Sequence, residues 1–198
     1  MNATSPLRRR LCATALLATA GMARSADWLA APALPAVPLK DADGNTWTLA
    51  QALEGTRVVV VSFFFTGCQT VCPPQTALLR EARQQLHAQG RSRGLRWLAL
   101  SVDPLGDGPA QLRDYARRFD LPLARPGQRS ADGEWLLLSG ERAAQQRALA
   151  AFGLPPGAPS EHPSLLWLAD TARGRWTRSS SLNPPEALAA LVASLQDA

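Results

Sequence analysis

The chain has 198 residues, of which 46% are hydrophobic, so it can bury one substantial core, and nothing in it indicates a second domain. Its formal net charge is +5, but the four arginines of residues 1–25 account for four of these charges, and +1 remains without them. This balance, with no basic run among the tryptophans, argues against nucleic acid as a partner.

Residues 1–25 are predicted to be a signal peptide. A run of three arginines precedes an apolar run of 13, residues 11–23, and small residues follow it. A bilayer span needs about 20 apolar residues, so the segment would anchor the protein only if it is retained. The arginine run fits either the general or the twin-arginine export route. We therefore expect an exported, periplasmic protein that loses Cys12 with its signal and keeps two cysteines, in an oxidising compartment.

The elements that follow are predicted from hydrophobic periodicity and turn residues. Residues 26–38 are an Ala/Pro-rich leader, and residues 39–49 form a hairpin in which Asp43-Gly44 supplies the positive φ angles. Strands are predicted at residues 58–65, 95–102, 135–138, 164–169 and 175–178. Helices are predicted from the cysteines to about residue 89, after Pro109, and at residues 142–152. A last helix is predicted to have Asn183 as its cap and Pro184 at its first position.

This order predicts the fold class. Two strand-helix units followed by a hairpin and a terminal helix are typical of a thioredoxin-like α/β fold, a central mixed sheet flanked by helices on both faces. Residues 39–198 would form this single domain, with the first hairpin as an N-terminal extension. Residues 58–65 are apolar except for Ser62, which favours a central strand that is buried on both faces.

The candidate chemistry lies directly after that strand. Cys68 and Cys72 are four residues apart, one helical turn, so their sulfurs would face the same way at the start of a helix. The helix N-terminus favours thiolates. In this fold the pair would lie near the loop that carries His162, and two thiolates with one imidazole suit Cu(I) and tolerate Cu(II).

Two other uses of the cysteines remain open. The same pair could perform thiol:disulfide exchange, or it could form a structural bridge, which we disfavour because so small a loop is strained and removes little chain entropy. The second histidine, His87, is expected only to favour a helix C-terminus. Asp103 is expected to cap the turn that follows its strand, or else to orient the metal ligands by contacting them without binding the metal itself.

These motifs together resemble those of the SCO/SenC family of copper-delivering thioredoxin-like proteins. Residues 65–73, FTGCQTVCP, are similar to the family's F-T-x-C-x-x-x-C-P. Residues 101–109, SVDPLGDGP, are similar to S-V-D-P-x-x-D-x-P before an amphipathic helix. His162 follows an acidic residue and precedes an apolar strand, as in the family.

The resemblance implies a metallochaperone. Copper would be held by Cys68, Cys72 and His162 and delivered to the dinuclear copper site of a respiratory oxidase subunit, with a thiol reductant protein as a further partner. The alternative is an exported thiol:disulfide reductase in which Cys68 and Cys72 are catalytic, so enzymatic activity stays open.

The chain also departs from the family pattern. Glu161 replaces the usual Asp, and Gly106 and Gly108 stand where Arg and Thr are common. Pro163 stands where Ser commonly follows the histidine, and thioredoxin-like oxidoreductases have a cis-proline at this place. Because a cis X-Pro bond costs only about 0.5–1 kcal/mol, the fold could impose one here, which keeps the redox alternative open.

Overall fold

A computed structural model describes residues 28–125 and 131–198; the predicted signal, residues 1–25, lies outside them. The strands are β1 Leu39–Lys40, β2 Thr46–Trp47, β3 Val58–Phe64, β4 Leu95–Ser101, β5 Glu134–Leu138, β6 Leu165–Asp170 and β7 Arg175–Ser180. The helices are α1 Leu49–Leu53, α2 Cys72–Ala88, α3 Pro109–Arg118, α4 Arg142–Ala151 and α5 Pro185–Asp197, with a 3-10 turn at Pro159–Glu161.

The main sheet has the strand order β5-β4-β3-β6-β7. β3 pairs in parallel with β4, and β4 in parallel with β5, whereas β6 is antiparallel to both β3 and β7. The central mixed sheet that the sequence predicts is therefore confirmed. Because β6 runs against β3, the start of β6 lies at the end of β3, where the cysteines follow.

Every residue of β3 is buried, as expected for a central strand. Its alternate side chains enter two separate cores. One core joins Val58, Val60 and Phe64 to α2, α3 and α5, and the other joins Val59, Val61 and Phe63 to α1 and α4. Helices therefore cover both faces of the sheet, and β3 is held from both sides up to the residue that precedes the site.

The N-terminal hairpin is present, but its turn is built differently from the prediction. Gly44 has a positive φ of 84°, whereas Asp43 is not among the residues with positive φ. The carboxylate of the buried Asp41 organises the turn by accepting from the backbone N–H groups of Asp43 and Asn45, both at 2.9 Å, and from Trp47 Nε1 at 2.8 Å. Hydrogen bonds to the Asp41 side chain thus hold the turn, in place of the positive φ angle expected at Asp43.

Two predicted helix starts are wrong. α2 begins at Cys72, so Cys68 lies in the preceding loop and not in the first turn. The physical reason is the pair Pro73-Pro74, since proline is tolerated in a first turn but would break a helix interior. α5 begins at Pro185 with Pro184 as its extended cap, because a residue before proline avoids helical ψ. Asn183 donates instead to Ser179 Oγ at 2.8 Å.

The described part of the leader, residues 28–38, lies against the sheet. The N–H of Leu29 donates to the carbonyl of Trp176 on β7 at 2.7 Å, and Val37 is buried in the core that contains α1 and α4. Residues 28–125 and 131–198 contain no helix that is both long and apolar enough to cross a membrane.

Candidate metal centre

The fold brings Cys68, Cys72 and His162 to one end of the sheet. Cys68 lies in the loop after β3, Cys72 is the first residue of α2, and His162 follows the 3-10 turn that precedes β6. The Sγ atom of Cys72 lies 4.0 Å from Nε2 of His162, although 90 residues separate the two in sequence. The sequence-predicted neighbourhood of the cysteines and the histidine is thus present.

The Cys72–His162 distance can be compared with that of two ligands on one metal ion. Metal–sulfur and metal–nitrogen bonds of about 2.3 and 2.05 Å place the two ligand atoms roughly 3.6–3.8 Å apart at tetrahedral or trigonal angles. The observed 4.0 Å is close to this range. As they stand, the described residues hold no complete group of three ligands. A three-coordinate site would therefore require Cys68 Sγ to turn toward the other two groups.

Cys68 has its sulfur at the start of α2. Its Sγ accepts a hydrogen bond from the backbone N–H of Cys72 at 3.3 Å, and both cysteines are free thiols. Burial alone would raise the pKa of Cys68, but hydrogen bonds from Cys72 and from the backbone of Thr70 and Val71 lower it to about 7. At neutral pH a large fraction of Cys68 is therefore thiolate.

Cys72 has the opposite electrostatic environment. It is fully buried, and burial together with its interaction with Cys68 and the charge of Asp107 raises its pKa to about 12. It is a thiol at neutral pH unless a metal displaces its proton. The two cysteines therefore differ in role before any ligand arrives.

His162 is oriented with Nε2 toward Cys72. Its Nδ1 lies 3.3 Å from the carbonyl of Pro163, so a proton on Nδ1 leaves the lone pair of Nε2 facing the sulfur. Burial lowers the pKa of His162, which favours the neutral imidazole that a metal needs. The Phe65 ring meets it edge-on at 6.3 Å. The His162-Pro163 peptide bond is trans, and no cis bond occurs in the described residues.

A buried carboxylate, Asp107, holds the loop that carries Cys68. It is 2% exposed and accepts from Thr66 Oγ1 and Ser101 Oγ, both at 2.6 Å, and from the Thr66 N–H at 3.1 Å. Burial raises its pKa even though these hydrogen bonds oppose the rise. Sequence reasoning included Asp107 only as a motif position and gave it no role. The position of Asp107 in the loop after a predicted strand, six residues after Ser101, was the signal that could have indicated a structural role.

Asp103 caps its turn, as the sequence predicts. Its Oδ1 accepts from the N–H groups of Leu105 and Gly106 at 3.2 and 3.0 Å. A Cβ at position 106 would meet Oδ2 of Asp103, so a larger residue there would require this carboxylate to shift.

The first turns of α2 are fixed to both neighbouring elements. Gln75 Nε2 donates to the carbonyl of Phe63 on β3 at 2.9 Å, and the Thr76 and Tyr115 hydroxyls share a hydrogen bond of 2.6 Å. The position of Cys72 is therefore set by β3 and α3 together. His87, the other histidine, lies near the far end of this helix, with Nδ1 3.0 Å from Ser92 Oγ.

A cavity of about 260 Å³ opens beside the thiols. Its lining consists of Phe65, Gly67, Cys68, Gln69, Thr70, Val71, Ser160 and His162. A ligand, or a thiol of another protein, can thus approach Cys68 through this cavity. Cys72 is fully buried and does not line it.

The chain was compared with known proteins. The sequence model described as SCO1/SenC matches residues 37–195. A SCO1 protein homolog of Bacillus subtilis is 37% identical over 79 residues, which cover 40% of this chain and 39% of that protein. A Stutzerimonas stutzeri protein inferred to bind copper is 30% identical over 123 residues, 62% of this chain and 53% of that protein. The chain thus matches only about two fifths to one half of the length of these relatives.

Solved structures show the same fold over a larger share of the chain. BsSco, a member of the Sco family of cytochrome c oxidase assembly proteins in which a disulfide switch is described, is 26% identical, with a TM-score of 0.66 and coverage of 87% of this chain and 98% of its own. Copper-bound yeast Sco1 is 20% identical, with a TM-score of 0.64 and coverage of 83% and 92%. At the latter identity the similarity concerns the fold alone.

Proposed function

The chain belongs to the SCO1/SenC family, and from this we propose that it is an exported copper chaperone for cytochrome oxidase assembly. Copper would be held by the thiolates of Cys68 and Cys72 and by Nε2 of His162. Its destination would be the dinuclear copper site of a respiratory oxidase subunit. Two soft thiolates favour Cu(I), with Cu(II) as a second, weaker cargo.

One observation carries the proposal: Cys72 Sγ and His162 Nε2 approach to 4.0 Å from elements 90 residues apart. A disulfide oxidoreductase needs two cysteines and has no use for an imidazole at this place. A copper site with two thiolates needs a third ligand, and a neutral imidazole supplies it. The Stutzerimonas stutzeri relative that is described as copper-binding supports this assignment.

The experiment is a titration of the reduced protein with Cu(I) against a competing chelator. We expect Cys68→Ser and Cys72→Ser each to lower the affinity by at least about 100-fold, because each variant leaves only two ligands. Gln84→Ala, an exposed change farther along α2, is the control and should bind as wild type does. Near-wild-type affinity in either cysteine variant would contradict the copper assignment.

A second candidate function uses the same pair for thiol:disulfide reduction. The observation that favours it is the difference between the two thiols, with pKa values of about 7 for Cys68 and about 12 for Cys72. The Cys68 thiolate would attack a substrate disulfide and form a mixed disulfide, and the Cys72 sulfur would then attack Cys68 Sγ and release the second substrate thiol. The chain would end as a disulfide, and a thiol reductant protein would have to restore it.

The two functions are linked, because copper needs both thiols reduced. A reductant that opens a Cys68–Cys72 disulfide would prepare the protein for loading. We place both activities in the periplasm, on the basis of the predicted signal in residues 1–25.

A further inference from the structure

A second cavity shares one wall with the candidate metal centre. It has a volume of about 290 Å³ and lies between the loop after β4, the start of α4 and the loop before β6; we call it the His162 cavity. His162 is the one residue that lines both this cavity and the smaller one beside Cys68. An occupant of the His162 cavity would therefore contact the imidazole while leaving the thiols accessible.

Part of the wall of the His162 cavity is apolar and conformationally restricted. Leu149 and Leu154 are buried at its inner side, and Leu105 on its rim is 76% exposed. Four prolines of the loop before β6 line the cavity: Pro155, Pro156, Pro159 and Pro163. Proline fixes φ and has no N–H, so this part of the wall is conformationally restricted and offers few donors. Such a cavity favours an apolar side chain.

One buried polar group in the lining lacks a hydrogen-bond partner. Gln145 is 0% exposed, and its Nε2 donates to the carbonyl of Ser101 at the end of β4. Its Oε1 accepts no hydrogen bond from any described residue. Because less than 1 Å² of this atom is exposed, an occupant of the cavity would not reach it, and it takes no part in docking.

A cation stands at the mouth of the cavity. Arg142 is exposed, is the first residue of α4, and makes no ion pair within residues 28–125 and 131–198. The start of α4 has no side-chain cap, so its positive end adds to the charge of the guanidinium. Two acidic residues, Asp103 and Glu161, also line the cavity, and the carboxylate of Asp103 is already engaged by its own turn. The free cation favours a carboxylate on the occupant.

Exposed apolar residues extend this surface past the thiols. Of four large exposed hydrophobic residues in the described chain, two line these cavities: Val71 and Leu105. Val71 lies between the two cysteines and Leu105 lines the His162 cavity. A contact area that joins the cavity to the thiols fits a protein partner better than a small molecule.

We propose that the His162 cavity receives an extended segment of the copper-accepting protein. One large apolar side chain of that segment enters the cavity, and a neighbouring carboxylate meets Arg142. A cavity near the lower end of the roughly 300–1,000 Å³ range of ligand sites suits one such side chain better than a whole cofactor. This inference rests on the proposed function, because it names the docking surface of its acceptor.

The test measures binding of a probe, the copper-free soluble copper-binding domain of a respiratory oxidase subunit, to the reduced, copper-free protein by calorimetry. Leu105→Glu should weaken binding by at least about tenfold, because it places a charge on the apolar rim. Leu182→Glu, an equally charged change at the same end but outside the cavity, should stay within about twofold. The same comparison applies on α4, where Arg142→Glu should weaken binding and the exposed Arg147→Glu should not.

The copper affinity of each variant is measured separately with the chelator and should equal that of wild type. Equal losses in Leu105→Glu and Leu182→Glu, or no binding of the probe to wild type, would overturn the docking proposal. So would a wild-type homodimer that Leu105→Glu dissociates, because the occupant would then be a second copy. Weak copper binding by wild type would instead contradict the proposed function, so the two failures are distinguishable.

Discussion

The backbone N–H of Cys72 donates a hydrogen bond to Sγ of Cys68 at 3.3 Å, and this contact is one of those that make the two thiols unequal. The start of α2 stabilises negative charge on Cys68 and leaves Cys72 buried with its proton. A copper ion would therefore meet one prepared thiolate and one thiol that must be deprotonated.

The first prediction concerns the protons released on Cu(I) binding. With pKa values of about 7 for Cys68 and about 12 for Cys72, binding should release roughly one proton at pH 8 and nearly two at pH 6. A protonated His162 would add to this number, and its lowered pKa restricts that addition to acidic solution. Calorimetry in buffers of different ionisation enthalpy measures the count. A release of two protons at both pH values would show that Cys68 has an ordinary thiol pKa.

The second prediction concerns which cysteine attacks a disulfide. With an aromatic disulfide as probe, Cys72→Ser should form a stable mixed disulfide on Cys68, because the resolving thiol is missing. Its rate should rise with pH and level off above about pH 8, since the Cys68 thiolate is then fully formed. Cys68→Ser should react far more slowly at neutral pH. Faster reaction of Cys68→Ser than of Cys72→Ser would reverse the assignment of the two roles.

The third prediction separates copper binding from disulfide exchange. His162→Ala should lower Cu(I) affinity by about 10- to 100-fold and leave exchange by Cys68 and Cys72 nearly intact, because exchange needs no imidazole. His87→Ala is the matched control, since His87 is the other histidine of the chain and lies near the far end of α2. If His162→Ala binds Cu(I) and Cu(II) as tightly as wild type but loses exchange activity, thiol:disulfide reduction would become the better supported function.

The pH dependence of that difference follows from the lowered pKa of His162. A proton on Nε2 competes with the metal, and a pKa below the ordinary value of about 6.5 moves this competition to lower pH. The ratio of wild-type to His162→Ala affinity should therefore stay constant from pH 8 to about 6.5 and decrease only in more acidic solution. Taking the ratio removes the contribution of the two thiols, which both proteins share.

The fourth prediction concerns Asp107, which positions the loop that carries Cys68. Asp107→Asn should lower the free energy of unfolding by about 1–3 kcal/mol, because an amide cannot accept from both Thr66 and Ser101 as the carboxylate does. Asp114→Asn is a control on α3 that removes only an exposed contact with Arg117, and it should change stability by less than about 1 kcal/mol. Urea unfolding of the three proteins measures the difference.

The stability difference between wild type and Asp107→Asn should change with pH in a predictable direction. Burial raises the pKa of Asp107 in the folded protein, so protonation favours folding, and this contribution is lost as the pH rises through the raised pKa. Wild type should therefore gain stability relative to Asp107→Asn in mildly acidic solution. A difference that is the same at every pH would show that the pKa of Asp107 is not raised.

Local sequence patterns determined the elements of this protein and the identity of its chemical groups. The apolar run that becomes β3, the helical spacing of Leu79, Ala82 and Leu86, and the glycine after α2 each depend on neighbours within a few residues. The order of strands and helices was sufficient for the thioredoxin-like fold. The motifs around Cys68, Cys72 and His162 were sufficient for the family.

Only the tertiary structure decided how those groups differ from one another. Spacing made the two cysteines equivalent, whereas Pro73-Pro74 moved the helix start to Cys72 and left Cys68 as an acceptor at its N-terminus. The burial of Asp107 behind Thr66, and the cavity that His162 shares with α4, depend on loops that meet from distant parts of the chain. A pKa and a cavity depend on the residues that surround a group in space, and the periodicity of the sequence does not show which residues these are.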